Sequence, residues 1–146
     1  TGGCKSVVYN EEGSQLSYAK REYNVIILEN GVAELDSDLV IQNCFDVIRE
    51  SSQQVEPDSI AGIGISTQGE AFTAIGKNGK SLCNAMISSD MRSQSLVDEW
   101  SDKIGKNKLY HITGHTAHPM FTLFKLLWLK KYKKEVGNYN MNIKKK

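Results

Sequence analysis

Three short stretches of this chain hold residue types that could do chemistry. The first is Thr1-Gly2-Gly3-Cys4-Lys5. Successive small residues leave backbone N–H groups free to converge on an anion, and Thr1 and Lys5 add a hydroxyl and a positive charge. A plain turn at the chain start accounts for the glycine pair equally well. The second is Ser66-Thr67-Gln68-Gly69-Glu70. A Gln, both donor and acceptor, beside a Glu, a charged acceptor, can orient several hydroxyl groups. The bland alternative is a polar turn with a solvated Glu70. The third is Ser88-Ser89-Asp90-Met91-Arg92, a carboxylate and a guanidinium that could face the same pocket as Glu70. By spacing alone, Asp90 or the serines read first as a helix N-cap, with Arg92 on the helix surface.

These stretches need elements to hold them. Val7-Val8-Tyr9, the turn signal Asn10-Glu11-Glu12-Gly13 and the run 15–25 predict a hairpin. Asn30-Gly31 predicts another turn. Asp36 or Ser37 can cap a helix whose apolar face is Val40, Cys44, Val47, Ile48 and Ser51, and which packs on a sheet. The run 60–66, Ile-Ala-Gly-Ile-Gly-Ile-Ser, suits a strand buried on both faces, which would place Gln68 and Glu70 at its carboxyl end, where α/β folds bind ligands. Segments 71–76 and 82–87 predict two more strands around Lys77-Asn78-Gly79-Lys80. A helix is expected over 92–104, a loop over 113–119, and an amphipathic helix over 121–134 with Leu123, Phe124, Leu127 and Trp128 inward and its lysines in water. The sum is an α/β lobe with a mixed sheet flanked by helices.

Composition narrows the partners. The 146 residues are 40% hydrophobic, enough for an ordinary core, and carry a net charge of +1. Such a balance steers neither nucleic acid nor an anionic membrane surface. The lysines at 125, 130, 131, 133, 134 and 144–146 suit a solvated helix face and a chain end, since no aromatics interleave with them. The longest apolar stretch, 120–129, is too short and interrupted to span a bilayer. Three distant cysteines, Cys4, Cys44 and Cys83, predict a reduced cytoplasmic protein. His111 and His115 have the spacing of a helical metal pair, but Thr113-Gly114 between them and Pro119 beyond argue for a loop, and no metal is expected.

In this order the stretches resemble the N-terminal domain of the FGGY-family carbohydrate kinases. Thr1 to Lys5 are similar to the second half of that family's Asp-x-Gly-Thr phosphate hairpin. Residues 63–68, Ile-Gly-Ile-Ser-Thr-Gln, resemble its strand and sugar-contacting turn, and Asp90 with Arg92 its Asp-x-Arg signature. Thr113-Gly114, Pro119-Met120-Phe121-Thr122 and Lys125-Leu126-Leu127-Trp128 resemble its Thr-Gly and Lys-Leu-x-Trp region. The resemblance covers residues 1–134, leaving 135–146 an unassigned tail. Where family members carry a larger side chain this chain has Gly69, and a serine stands in place of the usual Trp before Asp-x-Arg.

The resemblance implies a ribonuclease H-like, actin-like ATPase lobe with its first strand truncated, residues being expected upstream of Thr1. It implies transfer of the ATP γ-phosphoryl group, with Mg²⁺, to a sugar or polyol hydroxyl. Thr1, Gly2, Gly3 and Lys5 would hold the nucleotide phosphates. Gln68, Gly69, Glu70 and Asp90 would meet the sugar, Arg92 would hold Asp90 or a substrate oxygen, and Met120 would wall the pocket. The catalytic base is expected outside this chain, so these residues alone are expected to turn over no ATP. An actin-like or chaperone ATPase lobe and a sugar sensor without catalysis are the rival readings. A homodimer is left open, as is the identity of the sugar.

Overall fold

The computed structural model describes residues 2–133. The chain forms two compact units, Thr1–Val25 with Leu35–Gln68, and Ile26–Glu34 with the chain from Gly69 onward.

In the first unit β1 (Gly3–Tyr9) and β2 (Gln15–Glu22) pair antiparallel, with Ser6 opposite Ala19 and a register shift between Val8 and Tyr9. The predicted turn closes them: Asn10 N donates to Ser14 O at 3.0 Å, and Ser14 N to Asn10 Oδ1 at 2.7 Å. Helix α1 (Ser37–Ser52) lies on both strands. Asp36 caps it through Oδ1, which accepts from Asp38 N and Leu39 N at 3.0 Å. Small residues line the contact. Val47, Ser51, Ser17 and Ala19 are buried there, and Ser51 Oγ meets Ser6 Oγ at 2.6 Å while Ser17 Oγ donates to Ser51 O at 2.8 Å. A helix can approach a hairpin this closely only because each buried hydroxyl has a partner.

The buried strand expected over 60–66 does not form; Ile63 and Ile65 stand open, Ile65 at 87% exposure. β-branched residues favour extended backbone, but a strand also needs an edge to pair with. Among the described residues none pairs with this run.

The second unit holds a sheet of order β3-β4-β5, from β3 (Ile26–Ile27), β4 (Ala33–Leu35) and β5 (Ala85–Met86). The two strands expected over 71–76 and 82–87 shrink to β5 and two antiparallel bridges, Phe72 with Met86 and Ile75 with Ser81. Helix α2 (Gln94–Ile104) begins two residues later than expected, leaving Arg92 in the preceding turn. Helix α3 (Lys106–Thr113) was not anticipated. It is only eight residues long, and only Leu109 in it is buried. Gly114 ends it in the left-handed region at φ 73°, with its N–H on Tyr110 O at 2.8 Å.

Helix α4 (Thr122–Tyr132) corrects a further expectation. Leu123, expected inward, is 47% exposed, and Lys125, expected in water, is 0% exposed. The core here is Leu96, Val97 and Phe124, flanked by Trp100, Phe121, Leu127 and Trp128. Trp100 meets Phe124 edge to face, with ring centroids 6.3 Å apart.

Candidate functional site

The 88–92 turn is set by the turn at Asn30-Gly31. Met91 N donates to Gly31 O at 2.8 Å, and Ala33 N to the Asp90 carboxylate, Oδ2, also at 2.8 Å. Gly31 lies at φ +73°, and a Cβ there would stand 2.9 Å from Met91 Cβ. Only glycine suits a position that is both left-handed and this crowded.

Asp90 is 0% exposed, and Arg92 wraps it. Arg92 Nε lies 2.9 Å from both Asp90 oxygens, Nη2 is 2.6 Å from Oδ2, and the Arg92 backbone N–H reaches Oδ1 at 3.1 Å. The same Nη2 donates to Glu34 Oε1 at 2.6 Å, and Asn84 Nδ2 donates to Glu34 Oε2 at 2.9 Å. The guanidinium carbon sits 5.0 Å from the Trp128 ring centroid. Burial works against the Arg92 charge, but the hydrogen bonds it donates to Asp90 and Glu34, with their negative charges, outweigh it and raise its pKa. Asp90 is therefore not the cap of α2, whose N-cap is Ser93. It anchors a guanidinium shared by two carboxylates and covered by an indole.

Glu70 lies at φ +62°, an uncommon conformation for a side-chain-bearing residue. Two contacts hold it there. Its Oε2 accepts from Thr122 N at 2.7 Å and Thr122 Oγ1 at 2.9 Å, at the first turn of α4. Its main-chain carbonyl accepts from buried Lys125 Nζ at 2.5 Å. The Thr122 backbone and hydroxyl bonds, with smaller help from Lys125 and His115, pull the Glu70 pKa below its ordinary 4.5. Burial pushes Lys125 down, against the opposing pull of Asp90 and Glu70.

With a folded pKa below the unfolded one, Glu70 contributes stability that is complete above its unfolded pKa and lost as pH falls through the folded value. Glu70→Gln keeps an acceptor for Thr122 but removes the titration. The wild-type advantage over this variant in urea unfolding is expected to hold steady above about pH 5 and to shrink below it. An advantage unchanged down to about pH 3 would contradict the assignment.

The other expected residues are placed as follows. Gly69 is exposed, and a Cβ added to it meets nothing within 4 Å. Met120 is half-buried, its N–H on His118 Nδ1 at 3.0 Å. Gln68 is half-buried in the first unit. Thr1 lies outside the described residues, as does the tail 135–146. Gly2, Gly3 and Lys5 line an open cleft of about 380 Å³ with Cys4, Lys20 and Glu22. Gly3 has a structural reason as well, since a Cβ there would lie 2.4 Å from Arg21 O on β2. The histidines have local roles: His111 Nδ1 is 2.6 Å from Asn107 O, and His115 stacks against Phe121. Sequence reasoning missed Glu34, which lies 58 positions from Arg92, and Asn84, which is nearer but falls in a segment without a motif. It also gave no role to Thr122 and Lys125, although both fall in the Pro119–Trp128 region singled out above.

Known proteins now bear on this arrangement. The profile described as "FGGY family of carbohydrate kinases, N-terminal domain" matches residues 1–142. The chain is 33% identical over 133 residues to the L-xylulose/3-keto-L-gulonate kinase of Escherichia coli strain K12, covering 90% of this chain and 27% of that protein. It is 31% identical over 132 residues to a glycerol kinase of Methylobacterium radiotolerans, covering 88% of this chain and 26% of that one. The structure of ligand-bound xylulose kinase from Lactobacillus acidophilus matches with a TM-score of 0.85 at 29% identity, over 95% of this chain and 28% of that one. The chain thus spans little more than a quarter of the length of these relatives. Its fold is the α/β, ribonuclease H-like and actin-like ATPase class of those kinases. The ordered turns around Glu70 and Asp90, the Lys125-bearing helix and the profile match together place this chain in the FGGY family of carbohydrate kinases, in its N-terminal domain.

Proposed function

We propose that residues 1–134 form the sugar-binding portion of an ATP-dependent kinase that phosphorylates a hydroxyl of a sugar or polyol. The observation that carries this reading is the Glu70 turn. An acidic side chain is held at positive φ by two contacts to α4, with one carboxylate oxygen bonded to Thr122 and open space beside it at Gly69. A rigid acceptor beside a small residue suits a polyhydroxyl ligand. In this reading Gln68, Gly69 and Glu70 meet the sugar. Asp90, expected to meet the sugar directly, is instead enclosed and acts by fixing Arg92 at the floor of the site, where the guanidinium edge faces a substrate oxygen, and Met120 supplies an apolar wall.

Thr1, Gly2, Gly3 and Lys5 take the phosphate end. Lys5 lines the cleft at Gly2–Lys5 and would meet the phosphates there, while Lys20, opposite it across the ladder, is paired with Glu22, which lines the same cleft. ATP would supply the transferred phosphoryl group, and Mg²⁺ would neutralise charge on its phosphates. Among the described residues no three His, Cys, Asp or Glu side chains gather as a metal-holding set. The general base belongs to another part of the kinase, and the site is that of a cytoplasmic enzyme.

The test uses the full-length kinase. Glu70→Ala is expected to raise the sugar KM about tenfold or more, by loss of a charge-assisted hydrogen bond, with the KM for ATP little changed. Gly69→Leu adds a side chain where a Cβ meets nothing within 4 Å, so it is expected to raise the sugar KM while leaving the unfolding midpoint in place. If both variants keep the parent's sugar KM, the sugar does not bind at this turn.

A further inference from the structure

The strand that carries the Gly2–Lys5 cleft also carries Cys4, and Cys4 has a thiol partner. Alternate residues Cys4, Ser6 and Val8 of β1 are half-buried, whereas Gly3, Lys5 and Tyr9 are exposed. Ser6 fixes the direction of the half-buried face: its Oγ meets Ser51 Oγ of α1 at 2.6 Å. Cys44 lies seven residues before Ser51, two turns back along the same face of the helix. One step along β1 from Ser6 and two turns along α1 from Ser51 bring Cys4 and Cys44 to the same stretch of the β1–α1 contact, close enough for each thiol to feel the other. Tyr23 lies beside both. Cys83 belongs to the other unit. Neither Cys4 nor Cys44 is sealed off, since both are half-buried and Cys4 lines the open cleft.

We propose that Cys4 and Cys44 form a reversible disulfide that fastens α1 to the start of β1 when the protein meets a hydroperoxide. Two thiols that face each other from elements already packed together, β1 and α1, can be bridged by side-chain rotation without parting those elements. One thiolate attacks the peroxide O–O bond, giving a sulfenic acid and one water. The second thiol displaces the sulfenic oxygen as another water and closes the S–S bond. Overall two thiols and one hydrogen peroxide become one disulfide and two waters, the sulfurs losing the two electrons that the peroxide gains. Burial, and then the neighbouring Cys44, raise the Cys4 pKa, so at neutral pH Cys4 is mostly the protonated thiol. The pair then responds to sustained peroxide rather than to a trace of it. The bond would immobilise the strand that carries Gly2, Gly3 and Lys5, whatever that strand binds.

The full chain is treated with hydrogen peroxide, quenched and digested with trypsin without reductant. The free thiol count is expected to fall from three to one, the intact mass to drop by two hydrogens, and a linked species to join peptides 1–5 and 22–49. Dithiothreitol is expected to return all three thiols. Cys83→Ala should keep the linkage, and Cys4→Ser or Cys44→Ser should each abolish it. Because mapping of the unmodified chain is decisive, a serine variant that folds poorly does not obscure the result. The proposal is overturned if peptide 81–92 carries the linkage, if the linkage joins two chains, or if Cys4 and Cys44 reach sulfinic acid without linking. It is equally overturned if three thiols survive a peroxide dose that closes a simple dithiol.

Discussion

Arg92→Leu is expected to destabilise the protein by about 3–5 kcal/mol, the largest loss of any single substitution argued for this chain. The reason lies in what remains behind. Asp90 is 0% exposed and was folded into place around a guanidinium that supplies three of its short contacts. Without it, Asp90 keeps the N–H groups of Ala33 and residue 92 but loses its counter-charge, in a site where water cannot replace it. Glu34 loses its ion pair at the same moment, and the Trp128 ring loses the cation on its face. Arg92→Lys keeps the charge but not the planar fork that reaches Asp90 and Glu34 together, so it should fall between wild type and Leu.

A double-mutant cycle separates this account from simple loss of packing. Asp90→Asn removes the buried charge that Arg92→Leu would strand. The Asp90→Asn, Arg92→Leu double variant should therefore be less destabilised than the sum of the singles, by about 1–3 kcal/mol. Urea unfolding followed by tryptophan fluorescence reads all four proteins. Additive losses, or a loss below about 1 kcal/mol for Arg92→Leu, would mean that the buried pair contributes little.

Local signals in the sequence carried over well. The Asn10–Gly13 turn, the Asp36 cap, the Asn30-Gly31 turn and the apolar stripe through Val47 and Ser51 all depend on residues within a few positions of one another. Local chemistry decides such features, and local sequence displays it. The failures are long-range. Whether 60–66 forms a strand depends on a partner edge, which a run of isoleucines cannot reveal. Two of the contacts that give Arg92 and Glu70 their setting come from Glu34, 58 positions away, and Thr122, 52 positions away. Asp90 and Glu70 could be singled out as chemistry-bearing, yet the sequence did not show that Asp90 is enclosed or that Glu70 bonds the first turn of a helix. Lys125 shows the limit best: a lysine in a helix rich in lysines reads as solvated until a carbonyl and two carboxylates are found around its ammonium.

That lysine is the subject of the second large effect. Lys125 is 0% exposed, donates to the Glu70 carbonyl, and is drawn by the charges of Asp90 and Glu70. Burial alone would expel the charge, and its net effect is a pKa below the ordinary 10.5. For a lysine depressed in the folded state the unfolded chain binds the extra proton between the two pKa values. Stability attributable to Lys125 therefore rises as pH climbs through the folded value toward 10.5. Lys125→Met preserves the aliphatic stem and removes the titration. At neutral pH two opposed terms meet: the variant escapes the cost of a buried ammonium, but leaves the Glu70 carbonyl without its donor and Asp90 with one cation fewer. An unpaired buried acceptor costs about 1–3 kcal/mol, and the residue bearing it already sits at positive φ, so the net change is expected to be a loss within that range. The gap between wild type and variant should then widen as pH is raised from about 7 toward 10, because only the wild type gains from deprotonation. In the full-length kinase the same substitution should raise the sugar KM more than it lowers kcat, since it loosens the Glu70 turn and touches no reacting atom. A pH-independent gap would show that Lys125 carries no titrating penalty, and an unchanged KM would show that Glu70 keeps its place without it.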